Sequence, residues 1–97
     1  MDFRFKSRKL ERLYHENKGA QEYGTPVVKA FFKVMSVIDS ARDERDIRAF
    51  RSFHFETLKG DRAGQHSLRL NDQWRLIIEI KKEGTNYILV IEIVDYH

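Results

Sequence analysis

Ninety-seven residues, 41% hydrophobic and 34% charged with a single proline, describe one domain with a modest core, and they exclude a disordered or collagen-like chain. The lack of cysteine excludes a disulfide scaffold and thiol-rich zinc sites, and it is compatible with a reducing compartment. Eighteen Lys and Arg against 15 Asp and Glu leave a net charge of +3 and a pI near 9.3, a balance that permits nucleic-acid binding through a local patch without demanding it.

In chain order, Phe3 to Phe5 alternates like a short strand, and the next segment carries Leu10, Leu13 and Tyr14 at helical spacing. Ser7 is the expected N-cap of that helix and Gly19 its expected stop. Thr25 followed by Pro26 predicts a second helix start, with the threonine oxygen as cap and proline in the first turn. Val27, Val28, Ala30, Phe31, Val34, Met35 and Ile38 then cover a wide face, which makes this the most buried helix. Acidic residues cluster at Asp39, Asp43, Glu44 and Asp46. A short helical turn is expected over 43–50, then a connection with Phe53, Phe55 and Leu58. From Gly64 the period changes to two and reads as strands over 66–70, 74–81 and 86–95, with turns at Asn71–Asp72 and Glu83–Gly84. Tight turns imply an antiparallel meander. The fold class is α+β, a single domain over 1–97: a short N-terminal strand, two to three helices, and the meander forming a curved sheet with helices on one face. No stretch approaches about 18 consecutive apolar residues and the start lacks a signal-peptide core, so no membrane association and a cytoplasmic location are expected.

The sheet face away from the helices is polar. Ser67 and Arg69 share a face opposite Leu68 and Leu70, and Arg75 alternates with Trp74 and Leu76. Between residues 59 and 75 stand Lys59, Arg62, Arg69 and Arg75 against Asp61 and Asp72, and the last strand runs out at Asp95, Tyr96 and His97. Such a set matches what metal-independent RNA cleavage needs. A base takes the 2′-OH proton, cations stabilise the charge growing on the phosphate, and an acid protonates the 5′ leaving oxygen. Histidine titrates in the useful range, whereas tyrosine needs nearby cations to act at neutral pH and otherwise stacks on a base. On spacing alone, a solvated basic face is the commoner outcome.

Two blocks, "LKGDRAGQHSLRLNDQWRLII" and the terminal "EIVDYH", resemble the HigB group of the RelE/ParE toxin superfamily, the plasmid-maintenance killer proteins of type II toxin–antitoxin systems. The likeness is close over 58–97 and rests on strand and helix order upstream. It implies a compact RelE-like fold and a ribosome-dependent endoribonuclease that enters the A site and cuts translated mRNA without metal or cofactor. It also implies a HigA-like helix-turn-helix antitoxin as partner, contact with 16S rRNA and mRNA, and operator DNA bound only through the antitoxin complex. Residue by residue, the family's functional lysine falls on Lys59, its Tyr-His pair on Tyr96 and His97, and its phosphate-binding arginine on Arg75. Arg69 and Arg62 fill further RNA or phosphate-binding positions by looser alignment.

One departure is plain. Some members place a catalytic histidine three residues before the lysine, where this chain has Glu56, and His54 is two positions out of register. Glu56 is either a carboxylate base or a structural partner of Lys59 or Arg62, with the ion pair ahead, and His97 becomes the better acid or base. That departure keeps an alternative alive, a non-cleaving module of the same fold that docks on the ribosome or another partner. His66 is expected to pack or to contact rRNA, His15 to sit on the surface, and Trp74 to belong to the core or to a sheet-face platform. Asp95 either orients Tyr96 and His97 or ends the strand in solvent. Gly60 and Gly64 bracket "GDRAG", but without a preceding strand and "GK[ST]" they read as turn glycines and not as a phosphate loop. No set of His, Asp and Glu has metal-ligand spacing.

Overall fold

The computed structural model describes residues 1–95. Its first helix, α1 (Arg8–Glu16), starts where expected, with Ser7 Oγ accepting the Leu10 N–H at 3.3 Å, and it buries Leu10 and Leu13. It stops two residues before the expected glycine. Asn17 takes the left-handed conformation at φ 54°, which a short polar side chain tolerates. Gly19 instead opens a 3-10 turn at Ala20–Glu22.

The second helix, α2 (Thr25–Ser40), also departs from expectation by one residue. Gly24 is the cap, at φ 85° and ψ 155°, a region open in practice to glycine alone, and Thr25 is already helical with no side-chain cap bond. Pro26 still occupies the first turn, where its missing N–H leaves nothing unpaired. Val27, Val28, Phe31, Val34, Met35 and Ile38 are buried, and Ala30 is half-buried against the same core. A short α3 (Glu44–Arg48) follows, capped by Asp43, whose Oδ1 accepts the Arg45 N–H at 2.9 Å. A 3-10 turn at Arg51–Phe53 then buries Phe53.

The strands are β1 (Asp2–Phe5), β2 (Glu56–Thr57), β3 (Gln65–Arg69), β4 (Trp74–Lys81) and β5 (Tyr87–Asp95), in the spatial order β1-β5-β4-β3-β2. The antiparallel β3–β4–β5 meander is the centre of a five-stranded mixed sheet, because β1 adds parallel to β5 and β2 adds antiparallel to β3. Both edges are short, four residues and two, which limits unwanted pairing.

Leu68, Leu76, Ile78, Ile88, Val90 and Ile93 join the helix residues in one core cluster, so the helices lie on one face of the sheet. A bulge makes this possible. Opposite β4 the register jumps between Ile77, which faces Glu92, and Ile78, which faces Val90, leaving Ile91 as the extra residue. Ile88, Val90 and Ile93 thereby all reach the helices although strict alternation forbids it. On the other face Ser67 and Ile77 are nonetheless fully buried. Among the described residues no helix is long and apolar enough to cross a membrane.

Phe31 is fully buried between helix and sheet, whereas Phe50 is 40% exposed. Urea unfolding is expected to show Phe31→Ala costing about 3–5 kcal/mol and Phe50→Ala about 1 kcal/mol or less. Equal losses would place the core elsewhere.

Candidate functional site

Residues directly opposite in antiparallel strands share a face, so the register assembles the site in rows. Arg69 faces Arg75, and Arg75 faces Val94. Two residues along lies the row Glu56, Ser67, Ile77 and Glu92, one residue from each of four strands. Over this face runs the β2–β3 connector, which includes a 3-10 turn at Gly60–Arg62. Between connector and sheet lies a cleft of about 600 Å³, with Glu56, Lys59, Asp61 and Arg62 on its wall and Ile77 and Val94 at the sheet. The sequence-predicted Glu56, Lys59 and Arg62 are thus brought together, with Arg75 adjoining through Glu56.

Arg75 is held firmly. Its side chain is only 13% exposed, its Nη2 donates to the His54 carbonyl at 2.7 Å, and the same nitrogen lies 3.7 Å from Glu56 Oε2. Glu56 therefore takes its ion pair with Arg75, whereas the sequence pointed to Lys59 or Arg62. The His54 carbonyl is a contributor that sequence reasoning misses: its residue sits at φ 45° in the left-handed region, which a non-glycine residue adopts only under constraint. Arg69 belongs to the neighbouring turn, with its guanidinium donating to the Asn71 carbonyl at 3.2 Å and pairing with Asp72. Lys59 differs from both. Its side chain is exposed, and among the described residues nothing pairs with its ammonium. Arg62 donates to Gln65 Oε1 at 3.0 Å and to Glu92 Oε2 at 3.4 Å.

Ser67 is the buried polar residue of this face, and among the described residues its Oγ has no hydrogen-bond partner. Asp95 lies opposite Trp74 and accepts from Gln73 Nε2 at 3.0 Å, one residue along from Arg75's row. Tyr96 and His97, the expected Tyr-His pair of which His97 is the acid or base candidate, lie outside the described residues. Trp74 packs edge-on to Tyr23 and is half-buried, and His15 is exposed on α1. Among the described residues no three His, Asp or Glu side chains gather to hold a metal ion.

A family model described as the RelE-like toxin of the type II toxin–antitoxin system HigB matches residues 3–97. The chain belongs to the HigB-like toxin family. Toxin HigB-1 of Vibrio cholerae serotype O1 is 33% identical to this HigB-like toxin over 79 residues, which is 81% of this chain and 83% of that protein. The fold is shared with a YoeB/ParE toxin from Agrobacterium tumefaciens, at a TM-score of 0.64 and 17% identity with both chains fully covered. It is shared also with the toxin of a YoeB–YefM complex from Staphylococcus aureus, at a TM-score of 0.64, 22% identity, and 100% and 97% coverage of the two chains. A role as the toxin of a type II toxin–antitoxin system follows from family membership.

His66 of the HigB-like toxin packs on the helix-facing side of the sheet, behind the site, directly opposite the core residue Ile78. On β3 it lies opposite Thr57, its Nδ1 is 3.1 Å from Thr57 Oγ1, and its ring stands 4.9 Å from that of Phe55, over which Arg48 sits at 4.2 Å. Burial, and then the Arg48 charge, hold the imidazole below the ordinary histidine value of 6.5, against the opposing pull of Glu44 and Glu79. The unfolded chain then binds a proton more readily than the folded one, so the contribution of neutral His66 is full above pH 6.5 and is lost as pH falls toward the folded value. Denaturation midpoints at about pH 8 and about pH 5 are expected to show a larger acid loss for wild type than for His66→Gln. An equal loss would mean that the ring titrates normally.

Proposed function

We propose that this HigB-like toxin is an mRNA endonuclease that cuts translated message in the ribosomal A site by metal-independent 2′-OH attack. The observation that carries this reading is the charge arrangement at the cleft: an immobilised, mostly buried Arg75 on the sheet, and on the wall above it an exposed Lys59 whose ammonium has no ion-pair partner among the described residues. A phosphate entering here meets a guanidinium already oriented, so little side-chain freedom is lost on binding. The lysine can then follow the charge as it shifts from the phosphate oxygens to the leaving group.

In this mechanism Arg75 and Lys59 stabilise the pentacovalent phosphate, and Arg69, directly across from Arg75, neutralises an adjoining phosphate. His97 serves as acid or base and Tyr96 orients or stacks the substrate. Glu56 is the positioning partner of Arg75, because its carboxylate lies 3.7 Å from the guanidinium nitrogen that also donates to the His54 carbonyl. The product ends are a 2′,3′-cyclic phosphate or a 3′-phosphate. A HigA-like helix-turn-helix antitoxin is the proposed neutralising partner, with operator DNA engaged only through their complex, 16S rRNA as the docking surface and the cytoplasm as the site of action.

A second reading has one observation in its favour. Glu56 stands where some family members carry a histidine, and it is spent on Arg75, which leaves a non-cleaving module that docks through the same cations. Mapping of mRNA 5′ ends in a translating extract separates the two. The nuclease reading expects wild type to cut, and Arg75→Ala, Lys59→Ala and His97→Ala each to cut about 10²-fold more slowly. Equal cutting by all four proteins removes these roles, and arrested translation with intact message favours the docking module.

A further inference from the structure

Arg62 reaches from the connector over three strands. One terminal nitrogen donates to Gln65 on β3 at 3.0 Å and the other to Glu92 on β5 at 3.4 Å, while the Gln65 amide donates in turn to Glu79 on the intervening β4 at 3.4 Å. From this geometry we infer that Gln65 and Glu92 are positioning residues, which fasten Arg62 across the sheet and so hold the connector that presents Lys59 to the cleft.

The connector needs such a fastening. Gly60 at φ 66° and Gly64 at φ 88° bracket it, and a Cβ added at either would meet nothing within 4 Å, so these glycines serve backbone conformation and not close packing. Between them the chain is held by two bonds of a 3-10 turn, Arg62 N–H to the Lys59 carbonyl at 3.3 Å and Ala63 N–H to the Gly60 carbonyl at 3.0 Å. Lys59 immediately precedes the first of these glycines, so the position of the connector sets where its side chain starts. Ile77 is fully buried on this face, away from the helices, and lines the cleft together with Lys59, Asp61 and Arg62 of the connector. Arg62 is thereby a strap, with both terminal nitrogens committed to protein acceptors, in place of the phosphate ligand that its sequence position implied.

An exposed ion pair of this kind adds little to global stability. Its effect falls on the placement of Lys59, where a displacement of about 1 Å is enough to slow a reaction. The kinetic half of this inference rests on the nuclease reading; the structural half does not. Hydrogen exchange of the amides of residues 59–64 is therefore measured beside single-turnover, translation-coupled cleavage for four proteins: wild type, Glu92→Gln, Arg62→Glu, and the charge swap Arg62→Glu/Glu92→Arg. Glu92→Gln and Arg62→Glu are expected to exchange about 3–10-fold faster over this segment and to lose a similar factor in kcat, with KM and the thermal midpoint nearly unchanged. The swap should recover most of both losses. Exchange in Glu92→Gln equal to wild type overturns the strap. A raised KM for Arg62→Glu that the swap fails to restore, with exchange unaltered, makes Arg62 a direct RNA ligand and also overturns it. If wild type does not cut message, the nuclease reading fails by itself and the exchange data still decide the strap.

Discussion

The pairing of β4 between β3 and β5 is the constraint on which the remainder of the molecule rests. Its pleat sends Leu76 and Ile78 into the helix-packed core and Arg75 and Ile77 to the opposite face. A slip of one residue would exchange the two sets, returning each aliphatic side chain to water at about 1.5–3 kcal/mol and driving a guanidinium among hydrocarbon. The bulge beside Ile77 is the adjustment that makes this register serve both faces. It spends Ile91 as the extra residue, so that Val94 still stands beside Arg75 while Ile88, Val90 and Ile93 all face the helices.

Electrostatics then follow from register. Two arginines directly across a ladder disfavour each other by about 0.2–1 kcal/mol. The fold offsets this by dividing them: Arg69 is turned toward the β3–β4 turn through Asn71 and Asp72, and Arg75 toward the β2 side through the His54 carbonyl and Glu56. What remains is a localised positive field made of side chains that are already ordered. His54, which presents this carbonyl to Arg75, does so from the left-handed region at φ 45°.

The second face differs from the usual exposed side of an antiparallel sheet in being partly roofed. Ile77 and Ser67 are fully buried on this face, and β2 with the connector walls a cleft where a flat surface would otherwise stand. A flat cationic sheet attracts polyanions without selecting a bond. A cleft walled by Lys59 and Glu56 with Arg75 close by is more enclosed than a flat sheet, and it excludes part of the water that would screen these charges.

The amino-acid sequence by itself determined the helix faces, the Ser7 cap, the meander with its turns, and the two blocks that mark the family, because periodicity, capping and short motifs are properties of neighbours along the chain. Helix ends were legible only to within one or two residues: Asn17 and Gly24 took the special conformations assigned to Gly19 and Thr25, since several nearby residues can serve and packing chooses among them. Two side chains beside the site, Gln65 and Glu92, carry no signal of their own in the sequence, although Gln65 continues the alternating face of Ser67 and Arg69. In β5 strict alternation from Ile88 and Val90 would turn Glu92 toward the helices, and the bulge at Ile91 brings it to the site face instead. What only the tertiary structure decided is who stands opposite whom: β1 beside β5, β2 beside β3, Arg69 across from Arg75, Glu56 on Arg75, and Arg62 on Gln65 and Glu92. The reason is physical. Ion pairs and cross-strand contacts are selected by distance in space, and residues 30 apart in the chain, such as Arg62 and Glu92, become neighbours only after hydrophobic burial has chosen the register.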